Sequence, residues 1–164
     1  MAGIAPKRRV APAARGQRFA VVAARFNEPI SKKLLDGALA ALANHAVSGD
    51  AVEVHWVPGS FELAQAALTL ARTRRFAGIV CVGVVIKGAT PHFEYVCGAA
   101  AHGILRAGLD TGVPVTFGVV TALTEEQAWD RAGGAIGNRG EEAALAALEM
   151  AGWLRALPAR RGKR

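Results

Sequence analysis

G-I-V-C-V-G-V-V-I-K-G-A-T-P-H-F-E, residues 78–94, decides the fold. Gly78 to Ile86 is short and wholly apolar, as expected of a strand buried on both faces of a sheet. A polar loop follows, and then a helix. The loop gathers Lys87, Gly88, Thr90 and His92 at the carboxyl end of the strand, where ligands bind in open α/β sheets. Glycine lets backbone approach a ligand, and threonine with free amides ahead of a helix suits a phosphate. Histidine as a residue type moves protons near neutral pH. Gly83 and Gly88 have the G-x-x-x-x-G spacing of a nucleotide phosphate loop, but Ala89 stands where the lysine is needed. Nucleotide hydrolysis is therefore disfavoured.

On the N-terminal side, Arg18 to Ala24 reads as a first strand, and Arg25 to Pro29 as a turn into a helix. That helix carries Ile30, Leu34, Leu35, Ala38, Leu42 and Ala46 at helical spacing. Ala51 to Val57 is a second strand, and Pro58-Gly59-Ser60 turns into a helix over 61–75. Beyond the opening stretch come a helix from Phe93 to about Leu109, a fourth strand over 114–120 and a short helix from Thr124 to Arg131. Gly133-Gly134 breaks the pattern, and a last helix runs over 138–154. Gly98, Ala99, Ala100, Ala101 and Gly103 make the third helix fit for close packing. Strand and helix alternate four times with short connections. The expectation is a single-domain, three-layer α/β/α sandwich, flavodoxin-like and doubly wound, with a four-stranded parallel sheet. Such a sheet has exposed edges to cover, which points to oligomerisation.

The formal charge of +7 invites a nucleic-acid reading, but its distribution opposes it. Lys7, Arg8, Arg9, Arg15 and Arg18 crowd the start; Arg155, Arg160, Arg161, Lys163 and Arg164 crowd the end. Without them the body holds ten basic and thirteen acidic residues, a net charge of −3. The organisation expected is a basic arm over 1–17, one domain over 18–157 and a basic tail over 158–164. No apolar run reaches the ~18–20 residues of a membrane span, and the basic N-terminus lacks a signal core. The expected compartment is the cytoplasm, with Cys81 and Cys97 as reduced thiols. No membrane or nucleic-acid partner is expected.

Three strand ends collect the chemistry: Phe26, then Pro58 to Glu62, then Lys87 to His92. A parallel sheet sets them along one edge. Phe26 is either a ring-stacking face or a loop aromatic capping the core. Glu62 is either a ligand or a first-turn acid. Arg131 and Arg139 flank G-G-A-I-G-N and are either phosphate forks or solvated helix-end charges. No His, Cys, Asp or Glu pair has zinc-like spacing, and no G-x-S-x-G elbow occurs.

Five blocks now matter together: A-R-F-N (24–27), V-P-G-S-F-E-L (57–63), G-V-V-I-K-G-A-T-P-H-F-E-Y-V (83–96), P-V-T-F-G-V-V-T (114–121) and D-R-A-G-G-A-I-G-N-R-G-E-E-A-A (130–144). In order and over 19–154, they closely resemble the 6,7-dimethyl-8-ribityllumazine synthase family of riboflavin biosynthesis. The resemblance implies condensation of 5-amino-6-(D-ribitylamino)uracil with 3,4-dihydroxy-2-butanone 4-phosphate, without metal or cofactor. It implies His92 as the proton-transfer residue. It places Phe26, Ser60, Phe61, Glu62, Val85, Ile86, Lys87 and Phe117 on the pyrimidinedione and ribityl chain. It places Gly88, Ala89, Thr90, Arg131 and Arg139 on the phosphate. Phe117, Arg131 and Arg139 are then supplied by a neighbouring subunit. The family's last basic position is commonly lysine, so Arg139 keeps the charge and changes the geometry. Family members form pentamers, some packed into shells of sixty, and the short G-G-A-I-G-N link resembles the shell-forming members. Riboflavin synthase is a candidate partner. The alternative reading is a non-catalytic flavin- or lumazine-binding module of the same fold.

Overall fold

A computed structural model describes residues 14–158. Most of the expected arm and tail, residues 1–13 and 159–164, lies outside the described residues. Ala14, assigned to the arm from sequence, is buried in the core, and its N–H donates to the His45 carbonyl at 3.2 Å.

The sheet has four parallel strands in the order β2-β1-β3-β4: β1 Phe19–Ala24, β2 Val52–Val57, β3 Gly78–Ile86 and β4 Val115–Ala122. The two wholly apolar strands, β1 and β3, are central; the mixed strands β2 and β4 form the edges, as burial on both faces requires. Alternate residues of β1 and β3 feed two cores. Phe19, Val21, Ala23, Val80 and Val82 meet α1 (Glu28–Ala43) and α5 (Arg139–Ala156). Ala20, Val22, Ala24, Ile79 and Cys81 meet α2 (Leu63–Arg72) and α3 (His92–Thr111). The three-layer α/β/α sandwich expected from sequence is the architecture observed.

Some boundaries differ. The second helix begins at Leu63, because Ser60 to Glu62 complete a turn after Pro58-Gly59. The third begins at His92, with Pro91 as its N-cap. Of its small residues, Gly103 serves helix packing: a Cβ there would meet the Ala64 Cβ at 2.5 Å, whereas one at Gly98 would meet nothing within 4 Å. The glycine break after α4 (Glu125–Asp130) is a small antiparallel hairpin, β5 Ala132–Gly134 and β6 Gly137–Asn138. Asn138 locks this hairpin down. Its Oδ1 accepts from the Gly140 and Glu141 amides at 2.9 and 3.1 Å, and its Nδ2 donates to the Lys33 carbonyl at 2.9 Å.

Candidate active site

In the order β2-β1-β3-β4 the chain crosses from β1 outward to β2 and then back past β1 to β3, so the winding reverses and a crevice opens where β1 and β3 end. Its walls follow from the register. Ala24 lies opposite Val57, and the ladder continues past the strands: Arg25 N–H donates to Val57 at 2.8 Å and Phe26 N–H to Pro58 at 3.0 Å. This sets Phe26 beside Gly59 and Glu62. The chain then turns sharply at Asn27, whose φ of 58° is left-handed, a conformation that asparagine tolerates.

The result is a cleft of about 590 Å³ at the carboxyl ends of the strands, on the α2/α3 side. Small-molecule sites occupy about 300–1,000 Å³, so this volume suits two modest substrates. Of the candidate site residues, Phe26, Ser60, Phe61, Glu62, Val85, Ile86, Gly88, Thr90 and His92 line it. The rings of Phe26 and Phe61 are largely exposed, leaving flat apolar faces open for stacking. Ser60 is buried, and its hydroxyl has no hydrogen-bond partner among the described residues. A buried hydroxyl without a partner calls for an explanation, and its place in the cleft wall makes Ser60 a candidate for a ligand contact. Asn27, Gly59, Val84, Phe93 and Val96 also line the cleft without having been singled out from sequence. Phe93 and Val96 stand three apart on a helix, a spacing that could have placed them on one face with His92.

Five of the expected residues do not line this cleft: Lys87, Ala89, Phe117, Arg131 and Arg139. The Lys87 N–H donates to the Ala122 carbonyl at 2.9 Å, and its amine lies 3.0 Å from Glu94 Oε1. That hydrogen bond is the main cause holding the Glu94 carboxyl below its ordinary range. Phe117 projects from the edge strand β4, 43% exposed. Arg131 donates to the Gln127 carbonyl at 2.8 Å, and Arg139 pairs with Glu142. The Arg139 N–H also donates to the Arg131 carbonyl at 2.9 Å, which couples the two arginines. Their hairpin rests on α1, in the layer opposite α2 and α3. Among the described residues, the cleft lining includes no lysine or arginine; Glu62 carries its one charge at neutral pH if histidine is neutral. Any positively charged partner for a phosphate here lies outside this lining.

No group of three or more His, Cys, Asp or Glu among the described residues could hold a metal ion. Nor is any helix among them long and apolar enough to cross a membrane.

The family model for 6,7-dimethyl-8-ribityllumazine synthase matches residues 16–155. The chain belongs to the 6,7-dimethyl-8-ribityllumazine synthase family. A protein of Syntrophus aciditrophicus (strain SB) named 6,7-dimethyl-8-ribityllumazine synthase is 50% identical over 142 residues, covering 87% of this chain and 92% of that protein. The family resemblance read from the motif blocks is thereby confirmed, and with it the assignment to a transferase of riboflavin biosynthesis. The non-catalytic lumazine-binding alternative is not favoured. Lumazine synthases join two small molecules, and a cleft with aromatic faces, a bare hydroxyl, a carboxylate and an imidazole provides groups for that task.

Proposed function

We propose that this chain condenses 5-amino-6-(D-ribitylamino)uracil with 3,4-dihydroxy-2-butanone 4-phosphate to give 6,7-dimethyl-8-ribityllumazine, the penultimate step of riboflavin biosynthesis. The observation that carries it is the convergence of Phe26, Ser60, Glu62 and His92 on one cleft. Phe26 stacks on the pyrimidinedione, and the backbone near Val85 and Ile86 meets its edge. Ser60, Phe61 and Glu62 hold the ribityl chain, where a hydroxyl and a carboxylate match its row of alcohols. Gly88, Ala89 and Thr90 face the phosphate.

The amine of the pyrimidine attacks the ketone, and loss of water leaves an imine. Elimination then expels phosphate, the enol tautomerises, and the second nitrogen closes the ring with loss of another water. Each step moves a proton, and His92 stands at the cleft to give and accept it, contributing about 10²–10⁴-fold. Holding both substrates together removes much of the entropic barrier.

Arg131 and Arg139 reach the phosphate from a neighbouring copy, which also supplies Phe117. Two observations support this: the absence of any lysine or arginine among the described residues that line the cleft, and the exposed apolar residues Tyr95, Leu105 and Leu109 on α3 and Phe117 on β4. The assembly is a homo-oligomer with sites between adjacent subunits, a pentamer with the sixty-subunit shell favoured; light scattering at neutral pH distinguishes them. The protein works in the cytoplasm, and riboflavin synthase is its candidate partner. The test is to mix purified protein with both substrates. Lumazine fluorescence together with released phosphate is expected, and tight binding without product would contradict the reading.

A further inference from the structure

His92 opens α3, and the residue before it supplies no side chain to cap that helix. Pro91 at the N-cap offers no side-chain hydrogen bond. Residues 88–91 are exposed, and a side chain at Gly88 would meet nothing within 4 Å. A helix start in this condition frays readily. Across the loop, however, Lys87 reaches over to the residues that follow His92. Its Nζ lies 3.0 Å from Glu94 Oε1 and 5.9 Å from the centroid of the Phe93 ring. Lys87 is itself fixed to the sheet through its N–H, which donates to Ala122 at the end of β4 at 2.9 Å. Glu94 also stands in the first turn of α3, where the helix dipole favours a negative charge. A continuous path of contacts thus runs from β4 through Lys87 to the first turn of α3.

We propose that Lys87 and Glu94 form a clasp across the 88–91 loop that positions His92 for proton transfer, acting through the helix start and not on the substrate. The inference rests on His92 being the proton-transfer group. Both partners are about half exposed, 46% and 54%, so the pair adds little to global stability. Its effect is local, because within its own chain the segment it spans makes few other contacts. Because its amine is engaged by Glu94 and Phe93, Lys87 is a positioning residue and not the missing phosphate cation of its own cleft.

The test compares wild type with Lys87→Met, Glu94→Gln, the double variant and Lys87→Arg, all as assembled protein. Steady-state kinetics are measured with both substrates, and amide exchange by mass spectrometry on peptides spanning residues 88–96. Each single variant and the double are expected to lose about the same two- to fivefold in kcat, since one interaction is broken in each. KM for either substrate stays within about twofold, as expected of groups that do not bind substrate. Lys87→Arg keeps most of the rate, and exchange in the 88–96 peptides quickens by a similar factor in the disrupted variants. Additive losses, a loss confined to KM, or unchanged exchange would overturn the clasp. An inactive wild type would instead refute the catalytic reading, and the exchange comparison would still decide whether the clasp holds the helix start.

Discussion

The Ser60 hydroxyl lies 2.7 Å from the point where a side chain on Gly83 would begin. The glycine of β3 therefore makes room for the serine that follows β2, and one strand shapes the cleft wall that the other contributes. Ser60→Ala removes a buried hydroxyl that has no partner among the described residues, so the melting temperature should not fall. KM for the pyrimidine substrate should rise by about two- to tenfold, the worth of one hydrogen bond. Gly83→Ala pushes on Ser60 and on the Ala24 Cβ at 3.1 Å, and should cost about 1–3 kcal/mol in urea denaturation.

Gly140 is more demanding. A Cβ there would collide with the Leu34 carbonyl, which is backbone and cannot swing aside. One on Gly37 would run into the Asn138 side chain, which is tied to Lys33 and to the start of α5. Gly140→Ala is expected to destabilise by about 3 kcal/mol or to prevent folding, and Gly37→Ala by about 1–3 kcal/mol. Denaturant midpoints measure both, and a near-neutral Gly140→Ala would contradict this close approach of α1 and α5.

Glu53 on β2 ties three parts of the chain together. It accepts from Arg18 before β1 at 2.7 Å, from Arg75 before β3, and from His55 at 3.3 Å. Arg18 is the first cause holding its carboxyl below the ordinary range. A depressed folded pKa gives stability that is present above the unfolded carboxylate pKa and lost as pH falls through the folded one. Glu53→Gln should therefore melt below wild type at neutral pH, with the gap closing on acidification below about pH 4. Melting curves across that range check it, and a constant gap would show that charge is not the cause.

The two thiols should differ in reactivity. Burial pushes the Cys81 thiol up to about 12, and Cys97 is raised mainly by desolvation and then by the nearby Glu94 charge. Because the thiolate is the reactive form, Cys81 should resist alkylation until the protein unfolds, and Cys97 should react more slowly than a free thiol. Timed alkylation with mass spectrometry reads both.

The sequence was most legible where burial leaves a one-sided pattern. Gly78 to Ile86 is bounded as expected, because a central parallel strand must be apolar throughout. The cleft residues were placed by topology: parallel strands bring their carboxyl ends together however far apart they lie in the chain. Less legible was the 132–138 hairpin, whose strands are too short to show alternation and whose glycines read as a break. Lys87 was also partly opaque. A lysine at a strand end resembles a ligand contact, and its reach to Glu94 depends on loop geometry that spacing does not encode. For Arg131 and Arg139 the residues alone leave a phosphate fork and a solvated helix-end charge both open, and only family resemblance chooses between them; within one chain they sit on the layer opposite the cleft.

That separation gives the most direct test of the central claim, that each site joins the His92 of one chain to the Arg131 of the next. His92→Ala and Arg131→Ala chains are denatured, mixed in equal amounts and reassembled, and lumazine formation is measured. On this account the two lesions fall on different sides of a head-to-tail interface, so random mixing should restore about a quarter of wild-type activity. Activity no greater than the average of the separately reassembled variants, in particles shown to contain both chains, would contradict the account.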